Sequence, residues 1–157
     1  GDAIEAVRRA GDARLIVAGD PLEPMEPYRA AADGLEVDWR LGYLPQAEVD
    51  RALGQATVAV FAYRPELDQS GALLRALGAG VPAVAYDVGG VAEPVRAFGA
   101  GAVVPAGDVD ALASAVHVLL SDADALESAR AGARRARDEL TWDASARAHL
   151  ALYEEIV

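Results

Sequence analysis

The residues whose types and order best suit chemistry are Gln69-Ser70-Gly71-Ala72, at the head of the run Leu73-Leu74-Arg75-Ala76-Leu77. Ser70 is a good helix N-cap, Gly71 lets the backbone approach a ligand closely, and Leu73, Leu74 and Leu77 form one apolar stripe at helical spacing. A helix starting at Ser70 aims the free amides of its first turn, and the positive end of its dipole, at a phosphate or carboxylate. An ordinary capped helix carries the same signature, so the neighbouring loops must supply the rest of the argument. Every one of the 14 basic residues is an arginine. Any bound anion is therefore held by guanidinium groups, helix ends or backbone amides. The chain has no cysteine, which excludes a thiolate nucleophile, a disulfide framework and a Cys-ligated metal. No clustered carboxylate or histidine site calls for a metal. His117 and His149 fall in late helical stretches and read as ordinary partly buried or surface residues.

The elements that position these residues alternate. Asp2 is expected to cap a helix over 3–10 that ends at Gly11. The apolar run 13–18 is a buried parallel strand closing in Gly19-Asp20. Prolines 21, 24 and 27 make a loop before a short helix over 28–32. The alternating run 35–41 is a strand nearer an edge, followed by the loop Gly42-Tyr43-Leu44-Pro45 and a helix over 46–54. A third strand, 57–63, leads through Arg64-Pro65-Glu66-Leu67-Asp68 into the Ser70 helix. Gly80 sits where a left-handed residue ends that helix, and 81–86 is an apolar strand running into Asp87-Val88-Gly89-Gly90. A helix over 91–98, a strand over 101–104 and helices over 109–120, 124–140 and 142–156 complete the chain, the last capped by Thr141. Arg130, Arg134, Arg135 and Arg137 read as a solvated face. Alternating strands and helices predict an α/β doubly wound sheet, whose ligands bind beyond the carboxyl ends of the strands. Four of the loops just named lie at those ends.

At 157 residues, 53% of them hydrophobic, the chain suits one domain with a real core. A net charge of −11 argues against nucleic acid as a partner. No run approaches the ~18 apolar residues of a membrane span. The absence of cysteine fits a reducing compartment, and a cytoplasmic location is expected.

Read together, GDPLEP (19–24), LGYLPQAEVDRAL (41–53), TVAVFAYRPELDQSGALLRALGAGVPAVAYDVGGVAEPV (57–95), GDVDALASAV (107–116) and the terminal helix opening with Trp142 resemble a known domain in one order over almost the whole chain. It is the C-terminal, donor-binding domain of glycosyltransferases with two facing Rossmann-like domains (GT-B fold). The resemblance is strongest to the large retaining family, glycosyl transferases group 1, that contains bacterial mannosyl- and glucosyltransferases. It implies one Rossmann-like three-layer domain over 1–157, with a mostly parallel sheet of about five strands and C-terminal helices. It implies a UDP-, GDP- or ADP-sugar as donor substrate, no cofactor, and an acceptor held by an N-terminal domain that this chain lacks. By position, Gly42, Tyr43 and Leu44 would line the nucleobase edge. Gln69, Ser70, Gly71 and Ala72 would offer amides to the diphosphate, and Gly19 would let the sugar–phosphate pass close to a strand end.

Three departures accompany the resemblance. The family's usual pair of glutamates would fall at Leu67 and Arg75. A guanidinium only donates and cannot replace a carboxylate that accepts from ribose hydroxyls; Arg75 would either reach the diphosphate or point into solvent. Glu66 or Asp68 would stand in for the first glutamate if the loop shifts by one residue. The family also opens this domain with a strand and a basic loop, for which Arg64 is the best internal substitute. Without that strand the sheet must close up, in the order 2-1-3-4-5, or borrow a strand by exchange or dimerisation; closure is the expected outcome. Finally, retaining transfer needs both walls of an interdomain cleft, so the isolated chain is expected to be inactive. Two functional classes stay open: the donor half of a hexosyltransferase, and a non-catalytic nucleotide-sugar-binding or scaffolding module of the same fold.

Overall fold

In chain order the elements are α1 (Asp2–Ala10), β1 (Leu15–Gly19), α2 (Glu26–Ala31), β2 (Val37–Leu41), α3 (Gln46–Gln55), β3 (Ala59–Phe61), α4 (Gly71–Gly78), β4 (Ala83–Tyr86), α5 (Glu93–Phe98), β5 (Gly101–Val104), α6 (Val109–Ser121), α7 (Ala123–Glu139) and α8 (Trp142–Ile156). They are those of a computed structural model, which describes residues 1–64 and 68–156. Every expected element forms.

The central unit is built by local chemistry. The Ser70 side chain accepts a hydrogen bond from the Leu73 N–H at 3.2 Å and caps α4. At the other end Gly80, with φ of +77°, adopts the left-handed conformation. It lets the Gly80 N–H reach the Leu77 carbonyl at 2.8 Å and the Val81 N–H reach the Ala76 carbonyl at 2.9 Å. This paired closure satisfies carbonyls the helix would otherwise leave open. The turn then drops Ala83 into a strand whose four residues are all buried, because β4 is paired on both sides, with β3 and β5, in parallel register.

Two apolar cores flank the three-stranded sheet. On one face α1 and α6 cover Val84 and Tyr86, with Ala6, Ala10, Leu112 and Val116 in the packing. On the other, Leu73 and Leu77 of α4, Val95 of α5 and Ala133 of α7 cover Ala83 and Ala85. Their alternation along β4 follows from the two-residue period of a strand. Of the arginines on α7, Arg134 and Arg137 pair with Glu127 and Asp138, while Arg135 donates to the Phe98 carbonyl at 2.7 Å. The cluster is a solvated face with one arginine closing the end of α5.

The expected closure of the sheet does not occur. β1 pairs with β2 alone, in parallel register from Leu15↔Val37 to Gly19↔Leu41, and β3, β4 and β5 form a separate sheet. The order is therefore 2-1 and 3-4-5, with no pairing between β1 and β3 among the described residues. A cavity of about 1350 Å³ separates them, lined along their lengths by both strands. The consequence is visible in burial: the apolar strand β1 has no fully buried residue, whereas β4 has no other kind.

Candidate functional site

The carboxyl ends of the strands carry the candidate residues, and two contacts bring their loops together. The Gly42 N–H donates to the Gly19 carbonyl at 3.0 Å, joining the ends of β1 and β2. Both glycines have positive φ, +140° and +112°, and a Cβ built on either meets open space. Backbone conformation, with room in front of it, is what these positions require of glycine. Beside them Tyr43 is 91% exposed and Leu44 is half-buried. At the second contact, a Cβ on Gly90 would collide with the backbone carbonyl of Asp68. The loop after β4 is thus pressed against the loop before α4.

That pressure fixes the turn at Gln69-Ser70-Gly71-Ala72. The Ser70 side chain is buried; its hydroxyl lies 3.3 Å from the Tyr63 hydroxyl at the end of β3. The Ser70 carbonyl accepts from the Leu74 N–H at 3.0 Å, so the helical ladder begins there. Gly71 and Ala72 are exposed and, among the described residues, their N–H groups have no acceptor. Both face the cavity, together with Pro21, Leu22 and Tyr63. Gln69 is exposed beside them, and Asp68 is also exposed. Glu66 and Leu67 lie outside the described residues.

Arg75 has neither of its expected orientations. Its guanidinium donates to the Gln46 carbonyl at 3.1 Å and to the Asp50 carboxylate at 2.9 Å, both on α3. The side chain is 31% exposed, and its Nε is buried without a partner among the described residues. Arg75 therefore ties the first turns of α4 to the start of α3, directly after the Gly42 to Pro45 loop. It brings the two candidate loops into one assembly.

Asp2 and Arg64 also depart from expectation. Asp2 stands in the first turn of α1 and makes no capping bond. Its carboxylate accepts from Arg64 Nε at 2.9 Å, from a second Arg64 nitrogen at 3.0 Å, and from the Tyr86 hydroxyl at 2.9 Å. A bidentate arginine and a buried phenol outcompete the helix amides as partners. Arg64, expected as a free basic grip, is thus already paired at the edge of the site. Its hydrogen bonds hold the Asp2 carboxyl below the usual range. Burial, then the hydrogen bond to Asp2, pushes the Tyr86 hydroxyl up from 10.0 to about 12.

The sign of the pH dependence follows from these directions. A hydroxyl whose pKa is raised on folding stabilises the fold fully below its unfolded value, and that contribution is lost as pH rises from 10 toward about 12. The lowered Asp2 acts oppositely, its contribution present above the unfolded value of 3.8 and lost as pH falls. The thermal midpoint of the chain is expected to fall between pH 10 and 12, and Tyr86→Phe to remove part of that alkaline fall while lowering the midpoint at pH 7. Melting curves across this range check it; an unchanged alkaline slope in Tyr86→Phe contradicts it.

Sequence reasoning missed the Asp2–Arg64–Tyr86 cluster, whose members lie far apart in the chain, and the role of Gly90 as a close-approach glycine. The Asp87-Val88-Gly89-Gly90 loop signalled only a turn.

Comparison with known proteins places this geometry. The family model described as Glycosyl transferases group 1 matches residues 2–122. A D-inositol 3-phosphate glycosyltransferase of Jonesia denitrificans is 34% identical over 145 residues, covering 89% of this chain and 34% of that protein. Among solved structures, sucrose-phosphate synthase from Thermosynechococcus elongatus superposes with a TM-score of 0.72 at 24% identity, over 99% of this chain and 42% of that one. A glycosyltransferase from Rickettsia africae gives a TM-score of 0.74 at 14% identity, over 99% and 43%. The chain thus spans about a third of the curated relative's length. At these identities the solved structures speak for the Rossmann-like α/β fold alone. With the family match extending over most of the sequence, the chain belongs to the glycosyl transferases group 1 family.

Proposed function

We propose that this chain is the donor-binding part of a glycosyltransferase that moves a hexose from a nucleoside-diphosphate sugar to an acceptor held by another domain, in the cytoplasm. The observation that carries the reading is the pair of exposed amides of Gly71 and Ala72 at the capped start of α4, which have no acceptor among the described residues and whose residues line the cavity between β1 and β3. The diphosphate of a UDP-, GDP- or ADP-sugar accepts from these amides. The base lies against Gly42, Tyr43 and Leu44, and the sugar–phosphate passes Gly19. The same amides and the dipole of α4 stabilise the charge that develops on the departing nucleoside diphosphate. Ser70 and Gln69 hold the turn, while Arg75 positions it through α3. Arg64 borders the site in its pair with Asp2.

Calorimetric titration with UDP, GDP and ADP tests the reading: one nucleotide is expected to bind at least about tenfold more tightly than the others. The purified 157-residue chain is expected to transfer no sugar, because one wall of a two-walled cleft neither positions a nucleophile nor excludes water. Detectable transfer by this chain alone contradicts that part of the proposal. A non-catalytic module is the second reading, favoured by Arg75, which puts an ion pair with Asp50 where the family resemblance puts a ribose-accepting carboxylate. It predicts nucleotide binding without transfer even when an acceptor domain is joined to the chain.

A further inference from the structure

Two helices carry the two candidate loops, and Arg75 joins them. The loop Gly42 to Pro45 runs without a break into the first turn of α3, and the turn Gln69 to Ala72 into that of α4. Gly42 is held at its own end by the bond to the Gly19 carbonyl. At the other end of the loop the Arg75 guanidinium reaches across from α4. One of its nitrogens donates to the Gln46 carbonyl at 3.1 Å, directly beyond the loop, and to Asp50 at 2.9 Å, a turn further along α3. Arg75 stands one turn after Gly71 on the same side of α4 and lines the same cavity as Gly71 and Ala72. Whatever holds Arg75 against α3 therefore sets the spacing of the loops.

Asp50 is the group that holds it. The Nε of Arg75 is buried and has no partner among the described residues, so the guanidinium gives up solvation in this position. The Gln46 carbonyl alone does not offset that loss. A carboxylate does, because a hydrogen bond between charged groups is about twice as strong as one between neutral groups. The carboxylate is itself fixed: the Gln46 side-chain amide, one turn earlier on α3, lies 3.4 Å from both its oxygens. Asp50 and Gln46 are exposed, and an ion pair so open to water adds little to the stability of a fold. Its effect falls on placement.

We infer that Asp50, in a role that rests on the nucleotide site at α4, is a positioning residue: through Arg75 it holds the nucleobase loop and the diphosphate turn at the spacing a nucleoside diphosphate spans. Asp50 itself touches no ligand. A ligand that bridges both loops gains from finding them already spaced, whereas one that fills a single loop does not. Loss of the carboxylate therefore weakens a nucleoside diphosphate and spares pyrophosphate.

The test compares the wild-type chain with Asp50→Ala and Asp50→Glu. Alanine is the better helix former, so α3 is kept, and the melting midpoint is expected to move by no more than about 2 °C. Affinity for whichever of UDP, GDP and ADP binds the wild type is expected to fall about tenfold in Asp50→Ala and to return to within about threefold in Asp50→Glu, which keeps the carboxylate. Pyrophosphate, followed through the Gly71 and Ala72 amide resonances, is expected to bind both variants within about twofold of the wild type. The chain has no cysteine, so spin labels go cleanly onto Ala47→Cys on α3 and Ala79→Cys at the end of α4, both exposed positions. Without nucleotide, the distribution of distances between the labels is expected to widen in Asp50→Ala and to narrow again in Asp50→Glu. Unchanged nucleotide affinity in Asp50→Ala, or an unchanged label distribution, overturns the role of Asp50 alone. Equal losses for nucleotide and pyrophosphate also overturn it, leaving a merely structural contact. Tighter pyrophosphate binding by Asp50→Ala overturns it by making Asp50 a competitor for an arginine that grips phosphate directly. No nucleotide bound by the wild type, with its labels narrowly spaced, removes the site at α4 and the role of Asp50 with it.

Discussion

Gly101→Ala is expected to be the most damaging single substitution in the chain, lowering stability by roughly 3 kcal/mol or more and the thermal midpoint by about 10 °C. Gly101 opens β5 with φ of +138°, and a Cβ there would run into the carbonyl, carbon and nitrogen of Ala83, its register partner on β4. Neither cost relaxes easily. The positive φ is unfavourable for any L-residue with a side chain, and the obstruction is backbone in the one fully buried strand. To admit a methyl group, β5 must part from β4 and break the Ala83 N–H to Ala100 carbonyl bond at 2.9 Å. In a sheet of three strands, an edge that separates exposes the α5 and α7 side of the core. Gly99→Ala is the control: its φ of +59° is left-handed, but the nearest atom to a new Cβ is the flexible end of Arg135 at 3.9 Å. It is expected to lose only about 1 kcal/mol. Urea unfolding of the two variants decides the matter; equal small losses would show that the Ala83 contact yields.

Gly90→Ala is expected to separate binding from folding. The new Cβ collides with the Asp68 carbonyl, and no positive φ adds to the cost. Relief comes from moving the exposed Asp68 and Gln69, and with them Ser70, and not from the sheet. The cap on Leu73 and the aim of the Gly71 and Ala72 amides move with it. Nucleotide affinity is expected to fall by tenfold or more, about 1.4 kcal/mol at least, with a loss of stability of about 1 kcal/mol. Titration calorimetry and urea unfolding on the same preparation measure both. Unchanged affinity with intact folding would detach the site from this turn.

What could be read from the chain was local. Ser70, Gly80 and Pro82 marked the ends of α4 within two residues, since caps and turn closures are made by neighbours in sequence. Four apolar runs and the alternating run 35–41 marked the five strands, and the family resemblance was carried by the order of loops. Strand adjacency was not legible. A helix of ordinary length joins β2 to β3 whether or not β1 and β3 touch, and the apolar run of β1 reads as buried although its edge is open. Partners distant in the chain escaped for the same reason. Asp2 has the composition of a cap, and only the fold brings Arg64 and Tyr86 to it. Arg75 has the spacing of a ligand contact, and only the fold sets Asp50 against it. Gly90, Gly101 and Gly132 look like turn or small-residue positions, yet backbone from another element approaches each of them.

Calorimetric titration of UDP, GDP and ADP into the wild-type chain and into Gly71→Pro decides whether the first amides of α4 hold a nucleotide. Proline is favoured at the first position of a helix, and a Cβ on Gly71 meets open space, so the variant removes one amide donor while α4 stays intact. One nucleotide is expected to bind the wild type, its affinity to fall by about tenfold or more in Gly71→Pro, and the unfolding midpoint to change by only about 2 °C. Equal binding by both chains, or no binding of any nucleotide by the folded wild type, would contradict this.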